Sequence, residues 1–181
     1  MSAPAGTVEV REVAEADAAR LGEALAEAYV ASGVTTEDDW YATVLRDVAG
    51  RLPHVVAVLA AYDGAEILGG LTLAHPGTPE AEVAVEGELE IRMLAVAPEH
   101  QGRGVSQALL AAAEETARSR GYAALVLSSM TMMRAAQRVY RRYGFTRVPE
   151  RDWLADWDPQ ALADGTAETL HVYRLPLRET P

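Results

Sequence analysis

The chain contains no cysteine and no lysine; all 16 of its basic residues are arginine. Without thiols there are no disulfides, no thiolate nucleophile and no Cys-type zinc site. Without lysine there is no Gly-Lys-Ser/Thr phosphate loop. A Gly-x-Ser-x-Gly elbow is also missing, and the four histidines (His54, His75, His100, His171) are scattered without metal-ligand spacing, so no metal is expected. Long apolar runs are lacking too: Val55–Tyr62, the longest, falls far below the roughly 20 residues of a spanning helix. Met1–Gly6 has no basic-then-apolar leader pattern, so the expectation is a cytoplasmic protein with no membrane partner. The net charge of -11 repels nucleic-acid phosphates and suits cationic amines.

What is present is a chain of 181 residues, 49% hydrophobic, enough for one packed domain over residues 1–181. Alternation predicts a first strand at Thr7–Val13, and helical spacing predicts a helix over Ala14–Val30. A second helix region starts at Thr35–Asp39 and ends by Pro53. Strands follow at Val55–Tyr62 and Glu66–Ala74, joined by Asp63-Gly64, with Gly69-Gly70 marking a bulge or a close backbone approach. An acidic loop spans His75 to Glu88, and a central strand runs Leu89–Val96. Beyond it come a helix within Gln107–Arg120, a strand at Ala124–Ser128, a helix near Met132–Tyr143 and a short strand at Phe145–Val148. Residues 149–169 read as a loop with one helical turn, and Leu170–Leu177 as a last strand whose end Pro176 places at an edge.

The stretch 89–106 carries the most chemistry. An alternating apolar strand ends in a loop with Gly102 and Gly104, and the loop opens directly onto a helix. The first amides of such a helix are unpaired, and with the helix dipole they form an anion site that small residues let a diphosphate approach. A dinucleotide fingerprint is excluded, because Gln107 stands where its third glycine or alanine belongs.

Gln101-Gly-Arg-Gly-Val-Ser106, following a strand that ends Leu-Ala-Val, resembles the acyl-CoA loop of the GCN5-related N-acetyltransferases. Downstream, Met133-x-x-Ala136-x-x-x-Tyr140-x-x-x-Gly144-Phe145 is similar to a second signature of that family, in family order and spacing. Ser106 replaces a usual Gly or Ala, and Met133 replaces a usual Asn whose amide touches the pantetheine arm in relatives. The resemblance implies an α/β fold: a central mixed, mostly antiparallel sheet, splayed at the cofactor strand and flanked by helices. It implies acetyl-CoA as cosubstrate, held by Leu94, Ala95, Val96, Gln101, Gly102, Arg103, Gly104, Val105, Ser106, Met133 and Ala136. Arg138, Arg141 and Arg142 are within sequence reach of the nucleotide phosphates or face solvent.

Acyl transfer to an amine needs a neutral nucleophile, yet an alkyl amine of pKa ~10.4 is only about 1 part in 2,500 unprotonated at pH 7. The departing thiolate, near the ~8.5 of a cysteine thiol, gains from a proton donor, and the oxyanion from a fixed one. The resemblance makes Tyr140 the acid and a main-chain N–H within Leu94–Val96 the oxyanion donor, with Tyr143 packing near its helix end. It makes Glu90 the base, with Glu88 as fallback. On alternation Glu90 shares a face with Arg92, so a strand charge paired with that arginine is the structural alternative. Direct abstraction by an unperturbed glutamate is uphill by roughly 8 kcal/mol, which calls for burial or a water relay. Ser128 stands where one branch of the family carries a glutamate.

The expected function is therefore acetyl-CoA-dependent N-acetylation by direct transfer in a ternary complex, the lack of cysteine excluding a thioester enzyme intermediate. Glu80, Glu82, Glu86 and Glu88 suit a small cationic amine or a basic peptide as acceptor. The resemblance places residues 149–169, with Trp153 and Trp157, against the acceptor or a second copy in a homodimer. The alternatives are a CoA-binding sensor without turnover, motivated by Ser106 and Met133, and an enzyme for longer acyl-CoAs lined by Met130–Met133. With no lysine, only the N-terminal amine is open to self-acylation.

Overall fold

β4 (Glu88–Val96) and β5 (Ala124–Met130) run parallel; every other strand pair among the described residues is antiparallel. The structure is a computed structural model and describes residues 7–177, so the leader reading at Met1–Gly6 lies outside the described residues. The sheet order is β1 (Glu9–Glu12), β2 (Ala57–Asp63), β3 (Glu66–Ala74), β4, β5, β8 (Thr169–Pro176) and β6 (Thr146–Arg147). β7 (Trp153–Leu154) also pairs with β8. This is the mixed, mostly antiparallel sheet that the resemblance implies.

Strand alternation divides the core. Val58, Ala60 and Tyr62 face α1 (Ala18–Ala31) and α2 (Trp40–Arg46), where Leu21, Leu25 and Leu45 are fully buried. Leu59, Leu71 and Leu125 face α4 (Val105–Ser119) and α5 (Arg134–Tyr143) on the other side. Each fully buried leucine contributes roughly 1.5–3 kcal/mol relative to exposure. Gly22 lets α1 and α2 cross closely, since a Cβ there would sit 2.3 Å from the carbonyl oxygen of Arg46. A short α3 (Val48–Arg51) completes that layer, and α6 (Pro159–Asp164) lies in the segment before β8.

Two irregularities open the sheet. β4 pairs with β5 only through Glu88↔Ala124, Leu89↔Leu125 and Glu90↔Val126, after which the two strands part. Between β3 and β4 the register jumps from Gly70↔Ala95 to Thr72↔Arg92, so Met93 and Leu94 together oppose Leu71. Met93 takes φ 55, the one non-glycine residue with positive φ among those described, at a cost of about 1–2 kcal/mol. Gly69 is needed beside this bulge: a Cβ there would lie 2.3 Å from the Ala95 carbonyl oxygen.

Three expectations are refined. The cofactor helix starts at Val105, two residues before the apolar run suggests, because Gly104 turns left-handed (φ 80) at its N-cap. Residues 149–169 hold β7 and a 3-10 turn as well as α6. β8 lies between β5 and β6, and its end at Pro176 is open on the β6 side. Leu177 donates its N–H to Ala123 on the β5 side. By alternation Pro176, which has no N–H, faces the other side, where β6 has ended.

Candidate functional site

Two cavities meet where β4 leaves β5. The larger, about 790 Å³, is a cleft bounded by Leu94–Val96 of β4, the loop before α4, the C-terminal end of α1 and α5. The smaller, about 340 Å³, lies beneath α2 and the loop before β4. Tyr29, Val34, Leu94, Met133 and Tyr140 line both.

The cleft fits a diphosphate-bearing ligand on its main chain. Gly102 and Gly104 have φ 78 and 80, and nothing lies within 4 Å of a Cβ built on either, so there is open room beside them. Among the described residues, the amides of residues 102–107 donate to no backbone carbonyl. They stand at the positive end of α4, which has no side-chain cap. Leu94, Ala95, Val96, Gln101, Gly102, Gly104, Val105, Ser106, Met133 and Ala136 all line the cleft.

At Arg103 the side chain and the main chain part ways. Its guanidinium does not line the cleft: Nη2 sits 2.8 Å from Asp63 Oδ2 and Nη1 3.1 Å from His100 Nδ1. Only its amide faces the same task as its neighbours. Of the three later arginines, Arg142 lines the cleft, together with Arg134, which the sequence reading missed. Arg141 instead reaches toward Gln137 and Tyr173.

Tyr140 is buried on α5 between the rings of Phe145 and Tyr173. Burial pushes its hydroxyl well above the usual phenol range, so the group keeps its proton at any working pH. Tyr143 points away and donates a 2.6 Å hydrogen bond to Glu114. It packs at the helix end as expected.

The second cavity is aromatic and acidic. Trp40 (56% exposed) and Trp157 (41% exposed) stand among its walls, with Tyr29 and Tyr41 in edge contact at 5.7 Å. Trp153 lies behind, edge-on to Trp157 at 6.0 Å. Glu82 lines the cavity, 2.9 Å from Arg92. Burial raises the Glu82 carboxyl above the ordinary range, against the pull of Arg92. Burial alone would lower the pKa of Arg92, but the carboxylates of Glu82 and Glu90 around it raise it overall.

Glu90 is not where the resemblance implies a base. It is 0% exposed and lines neither cavity. Its Oε2 accepts N–H bonds from Glu82, Val83 and Ala84 at 2.8, 2.9 and 2.9 Å. The expected partner Arg92 is only 3.9 Å from its Oε1. Glu88, the fallback, is also committed: it binds Arg151 and Arg174, which outweigh burial and hold its carboxyl low. Tyr29, Trp40 and Tyr41 were missed because no local pattern sends the end of α1 or the start of α2 to the loop before β4.

A model of the acetyltransferase (GNAT) family matches residues 19–145. The chain belongs to this family. An acetyltransferase of Agrobacterium fabrum is 42% identical over 62 residues, 34% of this chain and 44% of that protein. The chain spans less than half the length of the curated relatives it matches. Solved GNAT structures share the fold. One from Desulfovibrio desulfuricans aligns at TM-score 0.73 and 23% identity, over 95% of this chain and 100% of that one. The Salmonella typhimurium yncA structure, solved with its cofactor acetyl-CoA, aligns at 0.67 and 19%, over 97% and 96%. No helix among the described residues is long and apolar enough to cross a membrane, and no group of three or more His, Cys, Asp or Glu among them is placed to hold a metal.

Proposed function

We propose that this protein transfers the acetyl group of acetyl-CoA directly to a primary amine of a small cationic acceptor. The observation that carries the reading is the junction at Tyr140. A cleft with free helix-terminal amides and a separate aromatic, acidic cavity share this tyrosine as a wall. In this reading the diphosphate lies on the amides of Gly102–Ser106 and the thioester beside Leu94–Val96, where the β4 bulge frees main-chain N–H groups for the oxyanion. The acceptor enters from the Trp40 and Trp157 side, and its nitrogen attacks the thioester carbon. As the C–S bond breaks, Tyr140 hydrogen-bonds the departing sulfur and gives it a proton. The same dry surroundings that hold that proton on Tyr140 also raise the basicity of the thiolate. An acetyl-CoA-bound neighbour of the same fold supports the choice of cosubstrate.

The test is a thiol-release assay with acetyl-CoA against a panel of diamines, aminoglycosides and lysine-bearing peptides, alongside calorimetry with CoA. Transfer to a cationic amine and a calorimetric signal are expected. Absence of CoA binding, or binding without transfer to any amine, overturns the reading.

A further inference from the structure

Resting on the acetyltransferase reading, we propose that Glu82 is the carboxylate that takes the acceptor's proton, and that Glu90 acts through the loop rather than on the substrate. Glu90 is a positioning residue: it fixes the stretch of chain that carries Glu82.

The argument begins with where the amides of residues 82–84 go. Three consecutive N–H groups converge on one oxygen of a carboxylate that is itself wholly enclosed. Arg92, two residues further along β4 on the same face, completes the hold. Its Nη1 donates to the carbonyl of Glu80 at 2.7 Å and its Nη2 meets Glu82 Oε1 at 2.9 Å. β4 therefore grips the loop twice, through Glu90 on its amides and through Arg92 on the Glu80 carbonyl and the Glu82 side chain. A loop held this way presents Glu82 as a fixed wall of the cavity that Tyr140 also lines. Glu90 itself has no face on that cavity, so an amine reaches the Glu82 carboxylate and not the one behind it.

Glu82 keeps 31% of its side chain exposed, enough to hand a proton onward to water. The groups facing it are Arg92 and Glu90 from β4, Tyr41 from α2 and Asp156 from the segment before α6. Burial and the two other carboxylates favour its protonated form, while Arg92 opposes them. The protons balance as follows. An acceptor ammonium sheds two as the N–C bond forms: one passes through Glu82 to solvent, and the other makes good the proton Tyr140 gives to sulfur. The net products are the amide, free CoA thiol and one released proton.

Wild type is assayed with acetyl-CoA against spermidine, kanamycin and a lysine-bearing hexapeptide, and the best acceptor is used for pH profiles of kcat/KM. Glu82→Gln is expected to lower kcat/KM at least ~100-fold, within the range of a general base, and to remove the acid limb. Glu90→Ala is expected to raise the amine KM and to speed hydrogen exchange at the amides of residues 82–84 by ~10-fold or more. Glu90→Gln, whose side-chain carbonyl still accepts those N–H groups, recovers most of both losses and keeps the acid limb. An acid limb lost in Glu90→Gln and intact in Glu82→Gln overturns the proposal, as does unchanged exchange in Glu90→Ala. If wild type acetylates none of the amines, the acetyltransferase reading falls and Glu82's part with it, while the exchange pattern still decides Glu90's part.

Discussion

Arg103 turns its guanidinium to Asp63 at the end of β2, 2.8 Å away, so that only main-chain nitrogen of residues 102–106 is left to meet an anion in the proposed mode. Both partners are about a third exposed, so the pair is of the surface kind, worth about 0–1 kcal/mol. Arg103→Ala should therefore shift acetyl-CoA affinity by less than about threefold, measured by calorimetry. Its melting temperature should stay within about 4 °C of wild type. A tenfold loss of affinity would mean that the side chain, and not the amide, contacts phosphate.

Gly104 gives the opposite expectation. It has φ 80, and a Cβ there meets nothing within 4 Å, so Gly104→Ala strains the backbone without crowding anything. A left-handed alanine costs about 1–2 kcal/mol. The free loop relaxes away from that conformation, and binding has to restore it. Acetyl-CoA should bind about tenfold more weakly, with little change in the amine KM at saturating cosubstrate.

The two tyrosines of α5 should separate by kinetics. Tyr140→Phe removes a hydroxyl from the junction of the two cavities, so turnover should drop about 10²–10⁴-fold with acetyl-CoA affinity nearly unchanged. Tyr143→Phe removes the 2.6 Å bond to Glu114, so stability should fall by about 1 kcal/mol while turnover holds. Equal rates for wild type and Tyr140→Phe would remove Tyr140 as the acid.

Acid should loosen the fold through Glu88. Arg151 and Arg174 hold this carboxyl below its unfolded value despite burial. A group with a depressed folded pKa stabilises fully above the unfolded value, ~4.3 for glutamate. That contribution is lost as pH falls from there through the lower folded value. Denaturant titrations should show this decline in wild type and a shallower one in Glu88→Gln. The variant should be weaker by ~2–3 kcal/mol at pH 7, less than for a fully enclosed pair because both arginines reach solvent.

The strand, loop and helix from Leu89 to Ser119 were legible because each step is written in residue types: alternation, then glycines, then an apolar helical stripe. Glu90 was not, because its partners are amides, and every residue but proline has one. Alternation correctly put Glu90 and Arg92 on one face, but it cannot say that a loop six to eight residues earlier folds back over them. By helical spacing Tyr29 is one more position on the apolar face of α1, with Leu21 and Leu25. Its buried ring packs in the core while the same residue reaches both cavities, a double role that spacing does not reveal. Trp157 stands half-exposed in the cavity wall and is not part of the packed core, a placement that the composition of residues 149–169 does not reveal.

Strands whose hydrogen-bonding groups lie open at a protein's rim invite other chains to pair with them, and folds blunt such rims with charge or proline. Here the open stretch of β4, beyond Glu90, lies inside the sheet, flanked by Tyr29 of α1 and by Met133 and Tyr140 at α5. Those flanks stand where a stranger's backbone would have to lie, so Met93–Val96 can stay apolar without the charge or proline that guards an outer strand.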